Sequence, residues 1–153
     1  VVGVDPSAAA RELAVRLGAD AVLPEPHADT IVQLTGGGAA VSIDALGSPA
    51  TAAAGVRALR RRGRHVQVGL MLAEAANAPL PWGDLVAKEL EVVGSHGMAA
   101  ADYPLLLDMI VDGRLDITGL LGRVVGLDDA PAELAAMDQL VPTGAGIVVA
   151  RLD

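Results

Sequence analysis

Asp5 ends the apolar run Val1-Val2-Gly3-Val4 and is followed by Pro6. A carboxylate at the tip of a strand can accept hydrogen bonds from the hydroxyls of a ribose, and its charge repels a phosphate at the 2′ position. The same carboxylate can instead cap the helix that begins after Pro6. The residue alone leaves the two roles open. Further on, three segments end in small residues and glycine: Ile43-Asp44-Ala45-Leu46-Gly47, Val68-Gly69-Leu70 and Gly94-Ser95-His96-Gly97. Any one of them reads as a turn. Three in succession point to backbone that a flat ligand can approach along the carboxyl edge of an open parallel sheet. His96 is either a proton shuttle or ligand contact, or a surface histidine.

Other chemistries find no support. There is no Gly-x-Ser-x-Gly nucleophile turn and no His-Glu-x-x-His metal motif. His27, His65 and His96 lie far apart, and the chain has no Cys, which excludes disulfides and thiolate zinc sites within these residues. Gly36-Gly37-Gly38 follows a helical segment and precedes a strand, the reverse of what a phosphate cradle needs. Asp112-Gly113 and Asp128-Asp129 read as caps and turns.

The elements that position these segments alternate. Val1 to Val4 reads as a buried strand and Ser7 to Leu17 as a helix closed by Gly18. Strand Ala21 to Leu23, helix Ala28 to Leu34 and strand Ala39 to Leu46 follow. Pro49 to Arg62 reads as a helix stopped by Gly63, and His65 to Leu70 as the next strand. Asn77, Pro79 and Pro81 break the rhythm between Met71 and Trp82. Glu91 to Ser95 is a strand, and Asp102 to Asp112 a helix with Asp102 as its cap. A strand around Val124-Val125, a helix from Pro131 to Met137 and a strand Ile147 to Ala150 close the chain. This spacing predicts an α/β fold, a doubly wound parallel sheet covered by helices on both faces.

Composition bounds the rest. The 153 residues are 52% hydrophobic, enough for one domain with a sizeable core. That core must be aliphatic, because there is no Phe and the aromatics are Trp82 and Tyr103. A net charge of −8 repels phosphate backbones and anionic lipid, so nucleic acid and membrane are not expected partners. Arg60, Arg61, Arg62 and Arg64 are expected at a helix C-terminus, where cations are favoured. No charge-free run reaches the roughly 18 residues of a membrane span. Val1-Val2-Gly3-Val4-Asp5 has no charged n-region and is not a signal peptide. It reads as a strand entered without a lead-in, so the sequence is expected to be truncated upstream.

The ordered set of motifs resembles a family. Asp5-Pro6-Ser7, Arg11-Glu12-Leu13 and Arg16-Leu17-Gly18-Ala19-Asp20 resemble the second strand and following helix of medium-chain dehydrogenases. Ser42-Ile43-Asp44-Ala45-Leu46-Gly47 resembles the fourth strand, Gly63-Arg64-His65-Val66-Gln67-Val68-Gly69 the fifth and Lys88-Glu89-Leu90-Glu91-Val92-Val93-Gly94-Ser95 the sixth. Leu127-Asp128-Asp129-Ala130-Pro131 and Gly146-Ile147-Val148-Val149 resemble the closing helix and strand. Within that family the chain is most similar to bacterial zinc-type alcohol dehydrogenases.

The resemblance implies a partial Rossmann domain over residues 1–153, with strand order 3-2-1-4-5-6 but lacking the first strand and its glycine loop. It implies that Asp5 binds the adenosine ribose, with Arg11 beside the position where the family often carries a basic residue and this chain has Ala10. Ala45, Leu46 and Gly47 would line the adenine and ribose edge. Val68, Gly69 and Leu70 would face the nicotinamide, and main chain near Val68 and Ser95, His96 and Gly97 would fix its carboxamide. The implied cofactor is NAD rather than NADP, and the implied reaction is hydride transfer between a small alcohol and a carbonyl in a cytoplasmic homo-oligomer, a dimer or tetramer. Zinc, its ligands and the proton relay belong to a catalytic domain outside this chain. The chain alone is therefore expected to be inactive. Two alternatives stay open: an NADPH-dependent quinone or enoyl reductase, a group that usually lacks an acid at the Asp5 position, and a non-catalytic nucleotide-binding or oligomerisation module.

Overall fold

The computed structural model describes residues 1–137 and 146–152. The chain forms two compact units, Val1–Pro24 with Met98–Asp153, and Glu25–Gly97. Every strand pairing is parallel, and the strands alternate with helices, so the α/β class read from the sequence holds.

In the first unit, β1 (Val2–Val4) pairs with β2 (Ala21–Leu23) across α1 (Ala8–Arg16). Ser7 starts α1 by accepting the Ala10 N–H, and Gly18 leaves it at φ +99°, a conformation that costs a Cβ-bearing residue energy. Ala14 lies over Gly3, so helix and strand approach closely. The same unit holds α5 (Tyr103–Val111), β6 (Leu121–Gly126), α6 (Ala130–Ala136) and β7 (Ile147–Arg151). β6 and β7 pair as a sheet of their own. Asp102 occupies the N-cap position of α5 but makes no capping hydrogen bond, because a 3-10 turn over Ala100–Asp102 already leads into the helix.

In the second unit, α2 (Ala28–Leu34) leads to β3 (Ala39–Asp44), α3 (Pro49–Arg57), β4 (Leu59–Gln67), α4 (Trp82–Ala87) and β5 (Glu91–Gly94). The sheet order is β3-β4-β5. Pro49 sits in the first turn of α3, and Ser48 and Thr51 cap it reciprocally.

The sequence placed the Arg60–Arg64 cluster at the end of a helix running to Arg62; the structure places it on β4. The helix stops at Arg57 because Ala58 and Leu59 are drawn into the core, with Ala58 accepting the Ala39 N–H. The strand then passes through an irregular register, with Arg62 at φ +57°, before Arg64 pairs with Val41. The arginines are exposed, and Arg62 and Arg64 meet Glu89 and Glu91 rather than a helix dipole.

The sizeable core expected from composition is also smaller in this chain. Its buried hydrophobic side chains among the described residues are Ala52, Ala54, Val56, Ala58 and Leu59, all in the second unit. Val41 and Ile43 on β3 and Val92 and Val93 on β5 stay exposed.

Candidate functional site

Side chains on a strand alternate between faces, so residues two apart share one. On β3 that puts Ser42 and Asp44 on the α3 side. The parallel register sets Ser42 opposite His65 and Asp44 opposite Gln67 on β4. Four polar side chains thus meet under α3, which approaches them through Gly55. A Cβ on Gly55 would stand only 3.0 Å from His65 Cε1, so the glycine is what lets α3 close over the ring.

The group is hydrogen-bonded throughout. Ser42 Oγ lies 2.8 Å from His65 Nδ1, and His65 Nε2 lies 3.1 Å from Gln67 Oε1. Gln67 Nε2 donates to Asp44 Oδ2 at 2.9 Å, and Thr51 Oγ1 donates to the same oxygen at 3.0 Å. Asp44 Oδ1 accepts the Leu46 and Gly47 N–H groups at 2.9 and 3.0 Å. His65 is 1% exposed and Asp44 5%, so these bonds replace lost water. Burial pushes the Asp44 carboxyl up, but the bonds from Gly47, Gln67, Thr51 and Leu46 outweigh it and hold its pKa below the ordinary 3.8.

The carboxyl ends of the three strands lie side by side, since Asp44 pairs with Gln67 and Gln67 with Gly94. The Asp44 carbonyl accepts both Val68 N–H and Gly69 N–H. Gly47, at φ +82°, and Gly69 touch backbone to backbone. The turn chemistry points Leu46 and Leu70 outward, 72% and 66% exposed, with Val68 half-exposed. Ser95 N–H is held by the Gln67 carbonyl, while His96 is exposed beside Gly97 at φ +65°. Ala45–Gly47, Val68–Leu70 and Ser95–Gly97 therefore form one neighbouring set in the second unit.

Asp5 and Arg11 belong to the first unit. Asp5 Oδ1 accepts the Ser7 N–H at 2.7 Å, and Asp5 Oδ2 accepts no hydrogen bond from the described residues. Ser7, not Asp5, is the helix cap. Arg11 turns back to donate to the Asp5 and Pro6 carbonyls at 2.7 and 2.9 Å, which ties its guanidinium to the turn.

Residues 1–112 match the family model described as zinc-binding dehydrogenase. The chain belongs to this family. A Mycobacterium tuberculosis protein named "Probable alcohol dehydrogenase adh" is 35% identical over 142 residues, which is 90% of this chain and 39% of that protein. D-xylulose reductase A of Aspergillus oryzae is 31% identical over 139 residues, 85% of this chain and 38% of that protein. The chain thus spans between about a quarter and two fifths of the length of the curated relatives it matches. Among solved structures, 2R,3R-butanediol dehydrogenase from Bacillus subtilis superposes with a TM-score of 0.85 at 24% identity, over 99% of this chain and 43% of that one. An Escherichia coli alcohol dehydrogenase solved with NADH gives 0.82 at 18% identity, over 97% and 43%. A Sinorhizobium meliloti protein solved with NADP gives 0.82 at 24%, over 99% and 45%.

Among its described residues this zinc-binding dehydrogenase chain offers zinc no site. It has no Cys, and among the described residues no three His, Asp or Glu side chains converge. No helix among the described residues is long and apolar enough to cross a membrane. The Ser42–His65–Gln67–Asp44 group is not among the site residues expected from the sequence. Its signal was the polar alternation of Ser42 and Asp44 on one strand and His65 and Gln67 on the next, inverted relative to a strand that buries its apolar face.

Proposed function

We propose that these residues are the cofactor-binding part of an NAD-dependent alcohol dehydrogenase, with the nucleotide lying along Ala45–Gly47, Val68–Leu70 and Ser95–Gly97. The observation that carries this reading is the Gly47–Gly69 contact, which brings two strand ends together with no side chain between them and aims Leu46 and Leu70 at solvent. A flat aromatic ligand would lie against the exposed Leu46 and Leu70 side chains. Main chain near Val68 and at Ser95–Gly97 would orient the carboxamide. Asp5 would accept the adenosine ribose hydroxyls through Oδ2, and its charge would disfavour a 2′-phosphate. Arg11 would act indirectly, by fixing the Asp5 turn.

NAD, when bound, supplies a two-electron hydride acceptor. The chain's own residues hold and orient it. Ala45–Gly47, Val68–Leu70 and Ser95–Gly97 carry one titratable side chain, His96, and no metal-ligand cluster stands with it among the described residues, so we expect these 153 residues alone to oxidise no alcohol. The intact protein would act on a small alcohol or carbonyl as a cytoplasmic homo-oligomer. Exposed along Glu91–Gly94 and paired with β4 on one side, β5 offers an edge for a second copy.

The test is titration of the intact protein with NADH and with NADPH. Saturable binding that favours NADH supports the reading. Preference for NADPH would move the chain to the reductase branch, and no binding of either would leave a non-catalytic module.

A further inference from the structure

We infer that Gln67 is a positioning residue that fixes three strand ends as one cofactor-facing edge, an inference that rests on the reading of that edge as a nucleotide site. Its side-chain amide donates to Asp44 Oδ2 and to the Gly69 carbonyl, both at 2.9 Å. Its Oε1 faces His65 Nε2, and its main-chain carbonyl holds the Ser95 N–H at 2.9 Å. One residue on the middle strand is thus bonded to the ends of all three.

The chemistry of the partners fixes the direction of these bonds. A carboxylate and a carbonyl only accept, so both Gln67 amide hydrogens are committed and Oε1 must accept. His65 then carries a proton on Nε2, and in the neutral imidazole Nδ1 accepts from Ser42 Oγ. The bonds run one way, from Ser42 through His65 and Gln67 to the Asp44 charge. Asp44 passes the constraint on, because its Oδ1 holds Leu46 and Gly47 N–H and its carbonyl holds Val68 and Gly69 N–H. Freeing Gln67 releases Asp44 on one side and Gly69 on the other, at the point where Gly47 and Gly69 touch.

The experiment uses the intact protein with Gln67→Leu and Gln67→Glu. Amide hydrogen exchange is followed at Leu46, Gly47, Val68 and Ser95 without cofactor, and NADH affinity and steady-state kinetics are measured with it. Gln67→Leu is expected to speed exchange at these amides and leave that of β1 and β2 unchanged. The Kd for NADH should rise about tenfold, the scale of reordering a loosened loop edge on binding, with KM for the cofactor changing more than kcat. Gln67→Glu keeps the shape but sets a second carboxylate against Asp44. Its affinity deficit should shrink as pH falls, because the introduced carboxyl, once protonated, again donates to Asp44. That pH-dependent recovery tests the proposal even if Gln67→Leu does not fold. Unchanged exchange and affinity in both variants would overturn the proposal, as would faster exchange with unchanged affinity or a pH-independent deficit in Gln67→Glu. A parent protein that binds no NADH sinks the cofactor reading itself, and this shows before any variant is compared.

Discussion

Gly69 packs against Gly47 so closely that a Cβ on Gly69 would stand 2.1 Å from the Gly47 nitrogen and 2.5 Å from the Leu46 carbonyl carbon. The opposing atoms are backbone, held by the Asp44 bonds to Leu46 and Gly47, so they cannot swing away as a side-chain tip would. Gly69→Ala should therefore cost about 3 kcal/mol, the upper end for overpacking a filled interior. Gly83→Ala is the control. It lies inside α4 with nothing within 4 Å of its would-be Cβ, and should stabilise by about 0.5–1 kcal/mol through helix propensity alone. Urea denaturation of the two variants against the parent decides it, and equal stabilities would deny the close contact.

Asp44 links this contact to pH. Its folded-state pKa is held below 3.8, so its stabilising contribution is complete above the unfolded value and lost as pH falls through the folded one. Asp44→Asn should lose less stability between about pH 5 and pH 2.5 than the parent does, because it has no proton to take up at this position. Asp44→Ala strands the Leu46, Gly47, Thr51 and Gln67 donors at once and should cost about 3 kcal/mol or more at neutral pH. Denaturation midpoints across that pH range test both. An acid slope identical in parent and Asp44→Asn would remove Asp44 from the linkage.

Gly55 and His65 make a separable pair. Alanine normally gains about 1 kcal/mol over glycine inside a helix. At Gly55 the new methyl would meet His65 at 3.0 Å from Cε1 and 3.1 Å from Nδ1, a ring bonded at both nitrogens. Gly55→Ala should thus destabilise the parent by about 1–2 kcal/mol. In a His65→Ala background the same change should turn neutral or stabilising. A double-mutant cycle measures the reversal, and additive effects would mean that helix and ring do not touch.

The strand–helix alternation was legible because period-2 and period-3.6 patterns are local. Val1–Val4, Ala28–Leu34 and Ile147–Ala150 needed only their own residues. The end of α3 was not legible. Arg60 to Arg64 has the composition of a helix terminus, and only the burial of Ala58 and Leu59 beside Ala39 ends the helix earlier. The glycine-ended strands were visible as three motifs, but their contact was not, since Gly47 and Gly69 are brought together by sheet register. Gln67 and His65 left only a polar alternation in the sequence, which gains its meaning once the register sets Asp44 and Ser42 opposite them.

Asp5 gives the sharpest test of cofactor choice. Asp5→Asn keeps an oxygen that can accept the Ser7 N–H, so the turn into α1 and the Arg11 bonds to the Asp5 and Pro6 carbonyls should survive. What changes is the second oxygen, which accepts no hydrogen bond from the described residues and becomes an uncharged NH2 group that donates instead of accepting. If that oxygen receives the ribose hydroxyls, NADH binding to the intact protein should weaken by about 1–3 kcal/mol, the worth of a hydrogen bond to a charged group. The preference for NADH over NADPH should narrow as well, because the charge that repels a 2′-phosphate is gone. Parallel titrations with the two nucleotides, beside a thermal melt to verify the fold, separate the possibilities. Unchanged NADH affinity with an unchanged melting temperature would leave Asp5 as a residue that shapes the turn and nothing more.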